Sequence, residues 1–184
     1  MTNYLSHEPK TEPKTDWSSM PPAMLVDHLE STHHAYLHGE LPRIEALAVK
    51  VEAAHGDTHP ELVEVSRLCA ELSADLLPHL AKEERVLFPM IRELSEATGP
   101  TNFHCGSLAN PISMMMLEHQ HCDAILDALH ETTGAYEVPD DACGSYRALY
   151  DGLAALEADT NLHIHKENDV LFPAVIAMEK RQLQ

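Results

Sequence analysis

Two stretches of the chain nearly superpose: DLLPHLAKEERVLFP (residues 75–89) and DTNLHIHKENDVLFP (residues 159–173). Laid in register they share Asp75/Asp159, His79/His163, Lys82/Lys166 and Glu83/Glu167, then the whole Val-Leu-Phe-Pro close. Histidine and glutamate four residues apart occupy the same face of a helix. Two such pairs in one small protein predict two equivalent supports of a single symmetric object, and the object these residue types fit is a pair of metal ions.

The surrounding apolar residues place those pairs on inward-facing seams. One stripe runs His34, Leu37, Leu41, Ile44, Ala48, Val51, His55 at steps of three and four and stops at Gly56. Ser18 and Ser19 offer an N-cap ahead of Pro21 and Pro22, which suit a first helical turn. A second stripe contains Leu72, Leu76, His79, Glu83, Val86 and Met90 and ends before Gly99 and Pro100. The third runs from Ile112 through Met115, His119 and Cys122 to Leu129, and the fourth from Leu149 through Leu156, His163, Glu167 and Val170 to Ala174. Four such helices with short to moderate connections predict an all-α, antiparallel up-down-up-down four-helix bundle over residues 21–184, with residues 1–20 a flexible polar segment. Pro42, Pro78, Pro89 and Pro173 fall inside the helical patterns and predict kinks, with matching bends at Pro89 and Pro173.

Each of the four seams carries one histidine: His34, His79, His119 and His163. Counted from the helix ends they come to one height, within the precision of boundaries read from sequence. Two buried carboxylates facing each other in an apolar core would be costly unless cations share them. The site is therefore expected to be built from His34, His79, Glu83, His119, His163 and Glu167, a nitrogen and oxygen donor set that iron accepts. Asp75 and Asp159, one turn before the repeat histidines, read either as acceptors of an imidazole N–H or as solvent-facing carboxylates; Glu118, beside His119, has a weaker claim to the same supporting role. His55 lies roughly 31 Å along a straight helix from His34 and is read, with His59, as helix-end structure. His28, His33, His38, His121, His130 and His165 fall off the seams or out of level.

The formal charge of -18 argues against nucleic acid and anionic membranes as partners, since both attract basic surfaces. No apolar run is long enough to cross a bilayer and the first twenty residues carry no signal-peptide pattern, so the expected location is the cytoplasm. The four cysteines form no C-x-x-C pair, which removes zinc ribbons and redox dithiols.

The segments THHAYLHGELP, VEAAHGDTHPEL, HLAKEERVLFPMI, MMMLEHQHCDA and HIHKENDVLFP resemble the hemerythrin-like di-iron proteins, and more narrowly the iron–sulfur cluster repair family. That resemblance covers about residues 24–179 and puts His34, His79, Glu83, His119, His163 and Glu167 on the family's metal-site positions. It implies two iron ions, oxo- or hydroxo-bridged, that bind nitric oxide or dioxygen, and a role in nitrosative and oxidative stress defence and in restoring damaged iron–sulfur proteins. Many members of that family carry an N-terminal domain with adjacent cysteines; no cysteine precedes Cys69 here. Competing expectations are oxygen binding or sensing of the hemerythrin type, peroxide breakdown at the same centre, and a metal-free helical interaction protein. Classical oxygen carriers add a histidine in an H-x-x-x-H pair, and the positions four residues from His119 are Met115 and Asp123.

Overall fold

The structure, a computed structural model, describes residues 16–182. Four long helical runs carry the fold. The first, α1, is Pro22–Leu29, a π-helical turn over Glu30–His34, and Ala35–His55. The second, α2, is Glu61–Lys82, a π turn over Glu83–Leu87, and Phe88–Glu96. An uninterrupted α3 spans Ala109–Thr132. The last, α4, is Gly144–His165, a π turn over Lys166–Leu171, and Phe172–Gln182. Each helix packs against its chain neighbours and α4 returns to α1, which closes the bundle. Apart from one isolated bridge between Phe103 and Gly106, the described residues form no β-structure.

The three π turns have local causes. Pro89 and Pro173 supply no backbone N–H, and the ring of each would press on the carbonyl four residues earlier. A wider turn directly ahead of each proline relieves that conflict and adds one residue to the helix. In α1, Ser31 Oγ bonds the Asp27 carbonyl at 2.7 Å and Thr32 Oγ1 the His28 carbonyl at 2.6 Å, competing with backbone donors for those acceptors. The bends anticipated at Pro89 and Pro173 thus take the form of matched π turns. Pro42 and Pro78 stay inside continuous α-helix.

One extra residue per π turn shifts the inward stripe. Val86, expected on the seam, is 43% exposed, whereas Leu87 and Phe88 are buried. In α4 Val170 and Ala174 are only partly covered, while Leu171, Phe172 and Val175 are buried. The Leu-Phe-Pro endings are therefore packing, with leucine and phenylalanine inside and proline outside.

The apolar core is two clusters rather than one. Leu37, Leu41, Leu72, Leu80, Leu126 and Leu156 belong to the larger; Leu29, Leu87, Phe88, Met115, Leu171 and Phe172 belong to the smaller. Between them on every helix sits a polar residue: His34 on α1, His79 and Glu83 on α2, His119 on α3, His163 and Glu167 on α4. All six are at most 2% exposed.

The N-terminal end needs two corrections. Residues 1–15 of the expected flexible segment lie outside the described residues, but Trp17–Ser19 forms a 3-10 turn capped by Asp16, and Trp17 stacks on His28 at 4.4 Å. Ser18 and Ser19 belong to that turn and do not cap α1, whose N-cap is Pro21. No described helix is long and apolar enough to cross a membrane.

Candidate metal centre

The π turns set the positions of the polar layer. His34 closes the turn of α1, Glu83 opens that of α2, and Glu167 lies at the start of that of α4. The six side chains meet as two overlapping groups. His34, Glu83, His163 and Glu167 present donor atoms all within 4.8 Å of one another, and His79, Glu83, His119 and Glu167 do the same. Both glutamates belong to both groups.

The distances within each group are those of atoms converging on a common point. His34 Nε2 and His163 Nε2 are 3.1 Å apart, and His79 Nε2 and His119 Nε2 are 3.0 Å apart. Glu83 Oε2 lies 3.5 Å from His34 Nε2 and 3.4 Å from His79 Nε2. Glu167 turns one oxygen to each group, Oε1 at 3.1 Å from His163 and Oε2 at 3.2 Å from His119. Bonds of about 2.1 Å to a first-row cation at right angles leave donor atoms about 3.0 Å apart.

The hydrogen bonds behind the imidazoles aim the lone pairs inward. His34 Nδ1–H donates to Glu84 Oε1 at 3.0 Å, His79 Nδ1–H to Glu118 Oε2 at 2.8 Å, and His119 Nδ1–H to Asn168 Oδ1 at 2.9 Å. A proton held at Nδ1 leaves Nε2 a bare acceptor facing the centre. Two such nitrogens 3 Å apart repel unless a proton or a cation lies between them.

The carboxylates carry the same message. Both oxygens of Glu83 and Oε2 of Glu167 are buried without a hydrogen-bond partner among the described residues, a cost that a shared cation removes. In the metal-free protein, protons partly take that role. Burial alone would pull the His79 imidazole down, but the charge of Glu83, the hydrogen bond to Glu118 and the charge of Glu167 outweigh it and push it up to about 9. His163 is raised against its burial chiefly by Glu167, and Glu167 is held well below the usual carboxylate range, despite complete burial, by His163 and His119. Burial and the charge of His163 lower His34. The residues fit a pair of cations.

The family follows from a comparison with known proteins: residues 25–175 match the hemerythrin HHE cation binding domain. The chain belongs to that family. The iron-sulfur cluster repair protein DnrN of Neisseria gonorrhoeae is 38% identical over 160 residues, covering 87% of this chain and 95% of that protein. The iron-sulfur cluster repair protein YtfE of Cronobacter sakazakii is 34% identical over 173 residues, 93% of this chain and 73% of that protein. YtfE of Escherichia coli O1:K1 is 34% identical over 166 residues, 89% and 70% respectively. The fold and its family are as the sequence motifs anticipated, and a hemerythrin domain with this histidine and glutamate cluster is an iron-binding one.

The supporting residues are partly different from those expected. Glu118 does accept an imidazole N–H, but from His79 across the bundle. Asp75 pairs instead with exposed His121 at 3.0 Å, because the turn before His79 faces outward at that position. Asp159 Oδ1 pairs with His33 Nδ1 at 3.0 Å, and His163 Nδ1 has no hydrogen-bond partner among the described residues. Glu84 and Asn168 were not anticipated, although each follows its repeat glutamate at the same offset. His33, off the seam in the helical pattern, is 3% exposed because the π turn of α1 rotates it inward. His55 and His59 sit at the far end of the bundle against Tyr146, away from both groups.

Proposed function

We propose that this chain holds two iron ions, one at His34 and His163 and one at His79 and His119, with Glu83 and Glu167 shared between them and an oxo or hydroxo group completing the bridge. On this reading it binds nitric oxide in nitrosative and oxidative stress defence and serves the repair of iron–sulfur proteins. The observation that carries the reading is the pair of four-residue groups with two common glutamates, three of whose oxygens have no hydrogen-bond partner among the described residues. The printed names of the relatives, iron-sulfur cluster repair proteins, support the assignment of role.

Such a centre, when bound, supplies an open coordination position for a diatomic ligand. The protein's own part is to shape its surroundings. Leu29, Leu87, Met115 and Leu171 belong to the apolar cluster on one side of the polar layer and Leu37, Leu80 and Cys122 to the cluster on the other, surroundings that favour a small apolar molecule over a hydrated ion. Glu84, Glu118 and Asn168 fix the tautomers of His34, His79 and His119, leaving Nε2 of each as the acceptor.

The test is iron content and spectroscopy on protein purified from iron-replete cells. Two iron atoms per chain, and a new visible absorption when the reduced protein meets nitric oxide, are expected. Protein that takes up iron but shows no spectral response to nitric oxide would remove it as the ligand. Reversible uptake of dioxygen, or steady-state consumption of hydrogen peroxide, would move the assignment to those ligands.

A further inference from the structure

Three of the four inward histidines have a protein group behind them: Glu84 for His34, Glu118 for His79 and Asn168 for His119. His163 stands apart. It is buried, and its Nδ1 has no hydrogen-bond partner among the described residues. Two more buried polar atoms share that condition, Thr160 Oγ1 and Asp159 Oδ2, both on the preceding turn of α4. Asp159 engages its other oxygen, Oδ1, with His33 Nδ1 at 3.0 Å, and His33 lies against His163 with ring centroids 5.6 Å apart.

Residues 159 and 160 stand four and three positions before His163, so all three share one helix face with Cβ atoms about 5–6 Å apart. A helical side chain leans toward the N-terminus, so the His163 imidazole overhangs the turn that carries Asp159 and Thr160. Their polar atoms are chemically complementary. His163 Nε2 faces His34 Nε2 and Glu167 Oε1, each at 3.1 Å, which leaves the ring proton to Nδ1 as a donor. The Thr160 hydroxyl can donate or accept, and Asp159 Oδ2 only accepts. Buried polar groups without partners are rare in folded proteins, and a buried water typically makes about three hydrogen bonds to such groups.

The sequence repeat points the same way. Thr160 occupies the offset that Leu76 occupies before His79, and Leu76 is an ordinary core residue. His79 takes its acceptor, Glu118, from the facing helix. The hydroxyl thus stands in the copy of the repeat whose histidine lacks an acceptor from across the bundle.

We propose that Asp159 and Thr160 position His163 through one buried water molecule, which accepts from His163 Nδ1–H and Thr160 Oγ1–H and donates to Asp159 Oδ2. This deepens the two-iron reading above and rests on it for its consequence. The fourth imidazole is then held as the other three are, with its proton at Nδ1 and Nε2 bare toward the cation. Asp159 serves two rings at once, His33 directly through Oδ1 and His163 through the water on Oδ2.

The experiment combines diffraction with two variants of the full chain. High-resolution crystals of the metal-free and iron-loaded protein should both show a water within about 3.2 Å of His163 Nδ1, Thr160 Oγ1 and Asp159 Oδ2. Thr160→Val keeps the shape and removes the hydroxyl. It should weaken iron binding about tenfold in chelator competition, the lower end of what such outer hydrogen bonds contribute. It should also lower the melting temperature of the metal-free protein, whereas replacing a hydroxyl that truly lacks a partner would raise it. Thr160→Ser should restore both. A direct bond between His163 and Asp159, a Thr160 hydroxyl turned to a backbone carbonyl, or Thr160→Val with unchanged iron affinity overturns the proposal. Failure of the unaltered chain to take up iron overturns the two-iron reading, while the metal-free crystals still decide the water.

Discussion

At the scale of single residues, the centre is a set of buried donors whose protonation is controlled from behind. Removing Glu84 or Asn168 frees the Nδ1 proton of His34 or His119, and outer hydrogen bonds of this kind contribute about 10–100-fold in metal affinity. Glu84→Ala and Asn168→Ala are therefore expected to weaken iron binding by about that factor in chelator competition. Asp75→Ala is the control, because its partner His121 is at the surface, and it should leave affinity within about twofold. The six inward residues were legible in the sequence because histidine and glutamate recur at a fixed offset on an apolar stripe. Their supporting acceptors were less so: the group an Nδ1–H reaches is set by a facing helix, which one-dimensional spacing does not encode. Glu84 and Asn168 left the sole trace, a polar acceptor one residue after each repeat glutamate.

At the scale of the helix, the π turns decide which residues face inward. An uninterrupted 3.6-residue period puts Val86 on the core side of α2; the extra residue in Glu83–Leu87 puts Leu87 there instead. Leu87→Ala should then cost about 2–5 kcal/mol and Val86→Ala less than about 1 kcal/mol, read from denaturant midpoints of the metal-free protein. Equal costs, or the reverse order, would mean that α2 runs on without a π turn. The same slip moves Val170 outward and Leu171 inward in α4. Helix type, number and order followed from the apolar pattern and the glycines and prolines between stripes, whereas the slip did not, because a proline marks a conflict without saying how the backbone resolves it. Pro89 and Pro173 resolve it by widening, while the helices continue through Pro42 and Pro78.

At the scale of the whole molecule, the polar layer splits the core, so stability is tied to what neutralises that layer. In the metal-free protein His79 is raised to about 9 from an unfolded value near 6.5, so the stability it contributes is fully present below about pH 6.5 and is lost as pH rises through 9. Glu167 is lowered, so its contribution is present above the ordinary carboxylate pKa of about 4.3 and is lost as pH falls through its folded value. The melting temperature of metal-free protein should accordingly fall as pH rises from about 6.5 toward 9. Iron-loaded protein should keep its melting temperature across that alkaline range, because cations then occupy the positions of the protons and binding releases them. Parallel pH profiles for the two forms would separate the buried carboxylates from the metal.

The central claim is that Glu83 and Glu167 are tolerated in the core because two cations share them. Anomalous diffraction at the iron edge, on crystals of protein from iron-replete cells, tests it directly. Two peaks about 3.5–4 Å apart are expected, one beside His34 and His163 and one beside His79 and His119, with both glutamates between them. A single peak, or a polar layer without iron whose carboxylates are satisfied by water, would contradict it.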